Sequence, residues 1–289
     1  MVVQSHRIGN FNKPIVYPAA NQCIYCGDKK PPLSKEHIIP LGLGGSFQLP
    51  KASCESCRKA THQFETICLR EGFLNFRTHL KLPSRRPKDR PTHLPLRRKD
   101  ESVSRLVPIA DHPNFLVMPE FFDQPGIFLG LGPTSLILCK WNMYEDKIAN
   151  QTLALMQGKI SVDVKFSPVA FCLMLAKIAH GTTWAEFGSK NFIPFLPDLI
   201  LRKNPDLASY LIGQAPTNRT ISHSNMMHEC QVYLQEHNLG HVVGVYIKLF
   251  SSIPTPTYSV VVGELIPSPE ILTRYGLVKE GHKIIAAPQ

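Results

Sequence analysis

Two Cys-x-x-Cys pairs, Cys23/Cys26 and Cys54/Cys57, stand close together near the start of this chain. Two residues between cysteines let both sulfurs of a pair face one point. Four sulfurs at one point are the ligand set of a tetrahedral Zn²⁺. Such a site ties residues 23–57 into a small knuckle of short strands and turns. Four thiolates close the coordination shell, so this zinc is expected to be structural. It supplies folding energy that so short a segment cannot draw from its own core. Gly27, directly after the first pair, permits the positive φ that a knuckle turn commonly takes. The second pair runs into a helical pattern, so its second sulfur is expected to come from a helix first turn.

The remaining cysteines, Cys68, Cys139, Cys172 and Cys230, sit singly, mostly among apolar residues. They read as small buried hydrophobes. No apolar run reaches the ~20 residues that span a bilayer. Asn10, Asn12 and Lys13 interrupt the apolar positions of the first twenty residues, so no secretory signal is expected there. The chain reads as cytoplasmic with no membrane partner, a setting in which eight cysteines do not form a disulfide framework.

The net charge of +10 is unevenly placed. Residues 1–100 hold 18 Lys/Arg against 7 Asp/Glu, a balance of +11, and residues 101–289 hold 14 against 15, a balance of −1. The whole excess travels with the cysteine pairs. A basic segment beside a near-neutral one points to a polyanion partner, most simply nucleic acid. A generic solvated basic surface is the bland alternative.

Four regions follow from these patterns. Residues 1–20, with Pro14 and Pro18, read as an irregular lead-in, and residues 21–82 hold the cysteine unit. In the latter, Phe64, Ile67, Cys68, Leu69, Phe73 and Phe76 recur at helical steps over 58–80. Residues 83–105 open with a Pro- and Arg-rich stretch and read as a linker or extended basic arm. Residues 106–289 read as an α+β unit whose helices do not alternate regularly with strands. Asn114–Met118 and Ser135–Lys140 are strand candidates there, and Leu199–Leu201 is a short apolar piece. Phe166–His180 is a helix candidate, with Ser167 as N-cap and Pro168 at its first position. Val242–Phe250 and Tyr258–Val262 are β-rich and are expected to pair.

Between the cysteine pairs stand Glu36-His37 and a Gly44-Gly45 turn. An acid beside a histidine can hold a cation and activate a water. Cys23-Ile24-Tyr25-Cys26-Gly27, then Lys35-Glu36-His37-Ile38-Ile39-Pro40, Leu43-Gly44-Gly45 and Ala52-Ser53-Cys54 to Cys57 resemble the HNH endonuclease family, in its zinc-containing branch with flanking Cys-x-x-Cys pairs. The resemblance covers residues 21–65. It implies a ββα-metal, treble-clef-like zinc unit, here followed by an α+β accessory region. It further implies that Glu36 binds a divalent cation, Mg²⁺ or a similar ion, and that His37 is the general base for water attacking a DNA phosphodiester. A cation would neutralise charge building on the phosphorane, and a neutral imidazole would take the proton.

Two positions depart from that pattern. The family's asparagine before the third cysteine falls in Phe47-Gln48-Leu49-Pro50-Lys51, where Gln48 is the nearby amide and Leu49 cannot serve. The ligand after the fourth cysteine is Arg58, which cannot bind a cation. His62 lies one turn later on the same helix side and is the candidate second ligand. Lys35, Lys51, Arg58, Lys59, Arg85 and Arg86 are candidate phosphate contacts. The reading is a metal-dependent nuclease. The alternatives are a zinc-stabilised nucleic-acid-binding protein with a degenerate, non-cleaving fold, and a protein–protein adaptor. His180 is expected to be structural. His223, His228, His237 and His241 lack a ligand spacing, and Trp184 and Phe192-Ile193-Pro194-Phe195 read as core or turn.

Overall fold

Runs of Val, Ile and Tyr near the C-terminus dictate long strands, because β-branched and aromatic side chains pack well on a pleated surface. The computed structural model of the chain describes residues 2–8, 14–30, 32–145, 157–222, 224–238, 240–281 and 283–287. In chain order, β1 (Val2–Ile8), β2 (Ile15–Val16), β3 (Ser34–His37) and β4 (Phe47–Ser53) precede helices α1 (Glu55–Ile67) and α2 (Leu74–His79). Short strands β5 (His93–Arg98), β6 (Arg105–Pro108), β7 (Leu116–Phe121), β8 (Cys139–Tyr144) and β9 (Ile160–Ser161) follow. The long helix α3 (Pro168–Phe187) leads to β10 (Phe192–Pro194), α4 (Leu196–Ile200), α5 (Leu207–Leu211) and β11 (Ile212–Gln214). Then come β12 (His228–His237), β13 (Gly240–Leu249), β14 (Thr257–Leu265), α6 (Pro269–Arg274), β15 (Leu277–Glu280) and β16 (Lys283–Ala286). The fold is mixed α+β, richer in sheet than in helix.

The principal sheet runs β1-β12-β13-β14-β10, with β11 sharing the β14 edge, and all its pairs are antiparallel. The expected pairing of 242–250 with 258–262 is the β13–β14 pair. Val242 to Leu249 are buried in succession, so both faces of β13 are covered. Helix α3 lies against β13 and β14 and is buried around most of its circumference, including Lys177, His180 and Glu186 among its apolar residues. The Ser167 hydroxyl accepts from the Ala170 N–H at 3.2 Å, and Pro168 follows at the first helical position. The helix runs on past His180 to Phe187 and stops at Gly188, φ 66°.

Several elements differ from the sequence expectation. The irregular lead-in contains β1, whose partner β12 lies more than 200 positions away in sequence and gives no local sign. Asn10, Asn12 and Lys13 lie outside the described residues. The strand at 114–118 starts at Leu116, and the one at 135–140 is displaced to Cys139–Tyr144, where the two pair. Leu199–Leu201 closes helix α4. The basic stretch carries β5, which pairs with β6 and β9. The helical pattern over 58–80 is split by a wider turn at Cys68–Gly72. One apolar cluster runs from Cys23 to Ile284 and includes residues on both sides of the basic stretch.

The cysteine unit packs into that cluster through Ile24, Tyr25, Ile38, Ile39, Leu43, Leu49 and Phe64. Strands β3 and β4 form an antiparallel pair, and α1 follows β4 directly. The turn joining the strands is tight. Gly44 sits at φ 87°, and a Cβ on Gly45 would stand 1.9 Å from the Ile39 carbonyl oxygen. Gly45→Ala must therefore push the turn apart. It is expected to cost about 3 kcal/mol of stability, read from the urea midpoint at constant m-value. An unchanged midpoint would show that the turn yields freely.

Candidate functional site

Cys23 opens a turn in which its own N–H donates to the Asp28 carbonyl at 2.6 Å and the Gly27 N–H donates to the Cys23 carbonyl at 2.8 Å. Gly27 adopts φ 77°, as the knuckle requires. Cys54 caps α1 in an extended conformation, and Cys57 stands in its first turn. The four sulfurs lie within 4.8 Å of one another, with Cys26 and Cys54 at 3.7 Å. A tetrahedral ion with Zn–S bonds of ~2.3 Å places its sulfurs ~3.8 Å apart. Burial pushes the Cys23 and Cys57 thiols up. Burial also opposes ionisation of Cys54, but the Ser56 hydroxyl and the Cys57 amide outweigh it and bring its pKa to about 6. Buried thiols that resist ionisation become thiolates beside a dication, so the donor set and spacing fit zinc. The four cysteines form a cluster that could hold a zinc ion. Cys68, Cys172 and Cys230 are buried singly, and Cys139 is half-buried.

Opposite faces of β3 carry Glu36 and His37. Glu36 pairs with Leu49 across the strands and is buried, while His37 pairs with Gln48 and is half-buried. Gln48 accepts from the Lys35 ammonium at 3.1 Å. The Glu36 carboxylate is already engaged. Lys177, from the middle of α3, places Nζ 2.6 Å from Glu36 Oε1, 2.5 Å from Glu65 Oε1 and 2.6 Å from the His37 carbonyl oxygen. The contact to Glu65 is an ion pair outside hydrogen-bond geometry. Burial pushes the Glu36 carboxyl up, and the Lys177 ammonium pulls it part of the way back. Burial opposes the charge on Lys177, but the two carboxylates outweigh it and hold its pKa above the ordinary lysine value. His37 is pushed down to about 4, first by burial and then by the charges of Lys177, Lys35 and Arg85. It is neutral at neutral pH.

His62 lies on the exposed side of α1, its Nε2 3.4 Å from the Thr66 hydroxyl. The inward side of that helix is set by Cys57, Thr61 and Phe64. Glu65, beside that face, is the helix residue that reaches the cation on Glu36. The structure thus gathers Glu36, Glu65 and Lys177, where sequence reading had paired Glu36 with His62.

Among the candidate phosphate contacts, Lys35, Lys51, Lys59, Arg85 and Arg86 are exposed. Arg58 binds Glu55 through its Nε and Nη2 at 2.7–2.9 Å, and Lys59 approaches the same carboxylate at 3.5 Å. Arg86 lies 3.9 Å from Asp89. The Arg85 charge acts on both Glu36 and His37, so the basic stretch passes near the pair.

Two further residues missed as site residues join Lys177 behind the cysteine unit. His180, one turn along α3, donates from Nε2 to the Ile24 carbonyl at 2.7 Å and stacks on Tyr25. His228 donates from Nε2 to the Leu43 carbonyl at 2.7 Å, while its Nδ1 accepts from the Phe250 N–H at 3.2 Å. Each clamps a backbone carbonyl of the unit from more than 130 positions away. His180 sits mid-helix, and this bond gives it the structural part expected of it. His237 contacts the Ile127 carbonyl and His241 accepts from the Ile284 N–H. His223 lies outside the described residues.

Among the described residues, the cysteine quartet is the one cluster of three or more ligating side chains, and no helix is long and apolar enough to cross a membrane. Comparison with protein-family models, with curated proteins and with solved structures finds no match.

Proposed function

We propose that this protein binds nucleic acid, with DNA the first candidate, through a zinc-stapled ββα unit of the HNH kind that does not cut. One observation carries the choice between binding and cutting: the Lys177 ammonium lies 2.6 Å from Glu36 and 2.5 Å from Glu65. A divalent ion on Glu36 would have to displace a buried, doubly paired lysine. The condition of His37 supports the same reading. General bases work best with a pKa near the operating pH, and an imidazole at about 4 takes up a proton weakly. The charge excess of the first hundred residues supports a polyanion partner. Lys35, Arg85 and Arg86 would meet phosphates and fix position without reading bases.

A second reading keeps the active nuclease. His37 is neutral and half-buried beside a carboxylate, as a base must be, and Mg²⁺ would take the place of Lys177 with His62 or Glu65 as a second ligand. Titration of a labelled duplex across a salt series, alongside incubation with Mg²⁺ or Mn²⁺, separates the two. Non-cleaving binding gives a log–log slope of about −0.9 per phosphate contact, an intact duplex, and weaker binding in Arg85→Ala/Arg86→Ala. Metal-dependent cleavage that disappears in His37→Ala would establish the nuclease instead. Binding to a protein with no salt dependence would leave neither.

A further inference from the structure

The oxygens around Lys177 form a cage of a kind that hard cations occupy. Two carboxylates and one backbone carbonyl converge on Nζ from two elements, Glu36 and the His37 carbonyl from β3 and Glu65 from α1, while the lysine itself comes from α3. Side-chain exposure is 1 % at Lys177, 9 % at Glu36 and 17 % at Glu65, and the Glu65 oxygen facing the lysine is itself buried, so the cage is largely shielded from water. Oxygen donors of this type are what Mg²⁺ and Mn²⁺ select. The charge count favours them too. Two carboxylates can match both charges of a dication, whereas the ammonium supplies one.

We infer that Lys177 is a built-in cation that closes a latent divalent-ion site between Glu36 and Glu65, and that removing its side chain opens this site to Mn²⁺ or Mg²⁺. In the intact protein the ammonium reaches the oxygens from a fixed helix at no cost in association entropy. An ion from solution must pay that cost and also strand the displaced lysine in an apolar surround. The lysine therefore wins. Shortened to alanine, it leaves room for an ion, while the two carboxylates and the carbonyl stay in place as oxygen donors. This inference rests on the cage alone, so nucleic-acid binding and metal binding report on it separately.

The test uses full-length, zinc-supplemented protein with Mn²⁺ as the probe, free ion being followed by its paramagnetic resonance and fold stability by thermal melting. Lys177→Ala is expected to bind one Mn²⁺ at least about tenfold more tightly than the parent, and its Tm to rise with Mn²⁺ while the parent's does not. Adding Glu36→Gln and Glu65→Gln to Lys177→Ala is expected to abolish both effects. Any of three results would overturn the inference: the parent binding Mn²⁺ as tightly as Lys177→Ala, a folded Lys177→Ala binding none, or Lys177→Ala staying unfolded in millimolar Mn²⁺, because an ion able to replace the ammonium would restore the fold.

Discussion

If the quartet holds zinc, Cys57→Ser is expected to lose the metal and with it the order of the whole cysteine unit. The strands there are too short to hold themselves: β2 has 2 residues, β3 has 4 and β4 has 7. Cys57 is only 4 % exposed, so a serine hydroxyl in its place gains no water to offset the missing ligand. Structural zinc contributes an apparent ~10–16 kcal/mol in small zinc peptides, though part of that is offset here by packing against α3. The unit shares its apolar cluster with α3 and the main sheet, so the loss spreads. A net loss of ~4 kcal/mol or more should lower the Tm by about 10 °C or more in a chain of this size. Metal analysis and melting of the variant beside the parent check this, with Cys139→Ser as a control at a half-buried cysteine outside the cluster. Full zinc content and an unmoved Tm in Cys57→Ser would remove the staple.

The ligand set was legible because metal spacing is a local property. Cys-x-x-Cys fixes two sulfurs within one turn, and the turn residue Gly27 lies beside them. The second cation was not legible in the same way. Lys177 and Glu36 meet across 141 positions, and pattern reading has no access to such a meeting. A signal did exist. Lys177 stands amid Phe-Cys-Leu-Met-Leu-Ala on one side and Ile-Ala-His on the other. A lysine in the middle of an apolar helix needs a buried anion, and His180, three residues on, shares its face. Ligand chemistry and the one-turn step from Arg58 single out His62, and neither points to Glu65. Cys57, Thr61 and Phe64 set the inward direction, and position 65 lies nearer to it than position 62.

The same division between local and distant information runs through the fold. The β13–β14 pair, the Ser167 cap and the Pro168 start were readable because each is written within a few residues. The end of α3 was misjudged because Gly181-Thr182-Thr183 looks like a stop. Burial overrides that weak preference. Strand β1 depends wholly on a partner near the other end of the chain.

Acid should begin to destabilise this protein from about pH 6.5 downward, before ordinary carboxylates titrate, because two of its clamps are neutral histidines. His180 and His228 are fully buried, and burial pushes each down to about 4, against about 6.5 in an unfolded chain. Both donate from Nε2 to a carbonyl, so the proton gained in acid must go to Nδ1. On His228 that nitrogen already accepts from Phe250, and on His180 it is buried with no hydrogen-bond partner. A histidine whose folded pKa is depressed stabilises the fold above its unfolded pKa, and that stability is lost as pH falls. The window here runs from about 6.5 down to about 4, and each histidine contributes up to ~3 kcal/mol across it. Together they approach the whole stability of a typical domain. Urea titrations at successive pH values should show the loss. Metal held by the cysteines would also be released by acid, so a variant must separate the two causes. His228→Gln keeps a donor for the Leu43 carbonyl but cannot titrate. It should lower stability at pH 7 and flatten the slope between pH 6.5 and 4 by about 1.4 kcal/mol per pH unit. A slope identical to the parent's would assign the acid sensitivity to the metal site and leave the histidine clamps without a part in it.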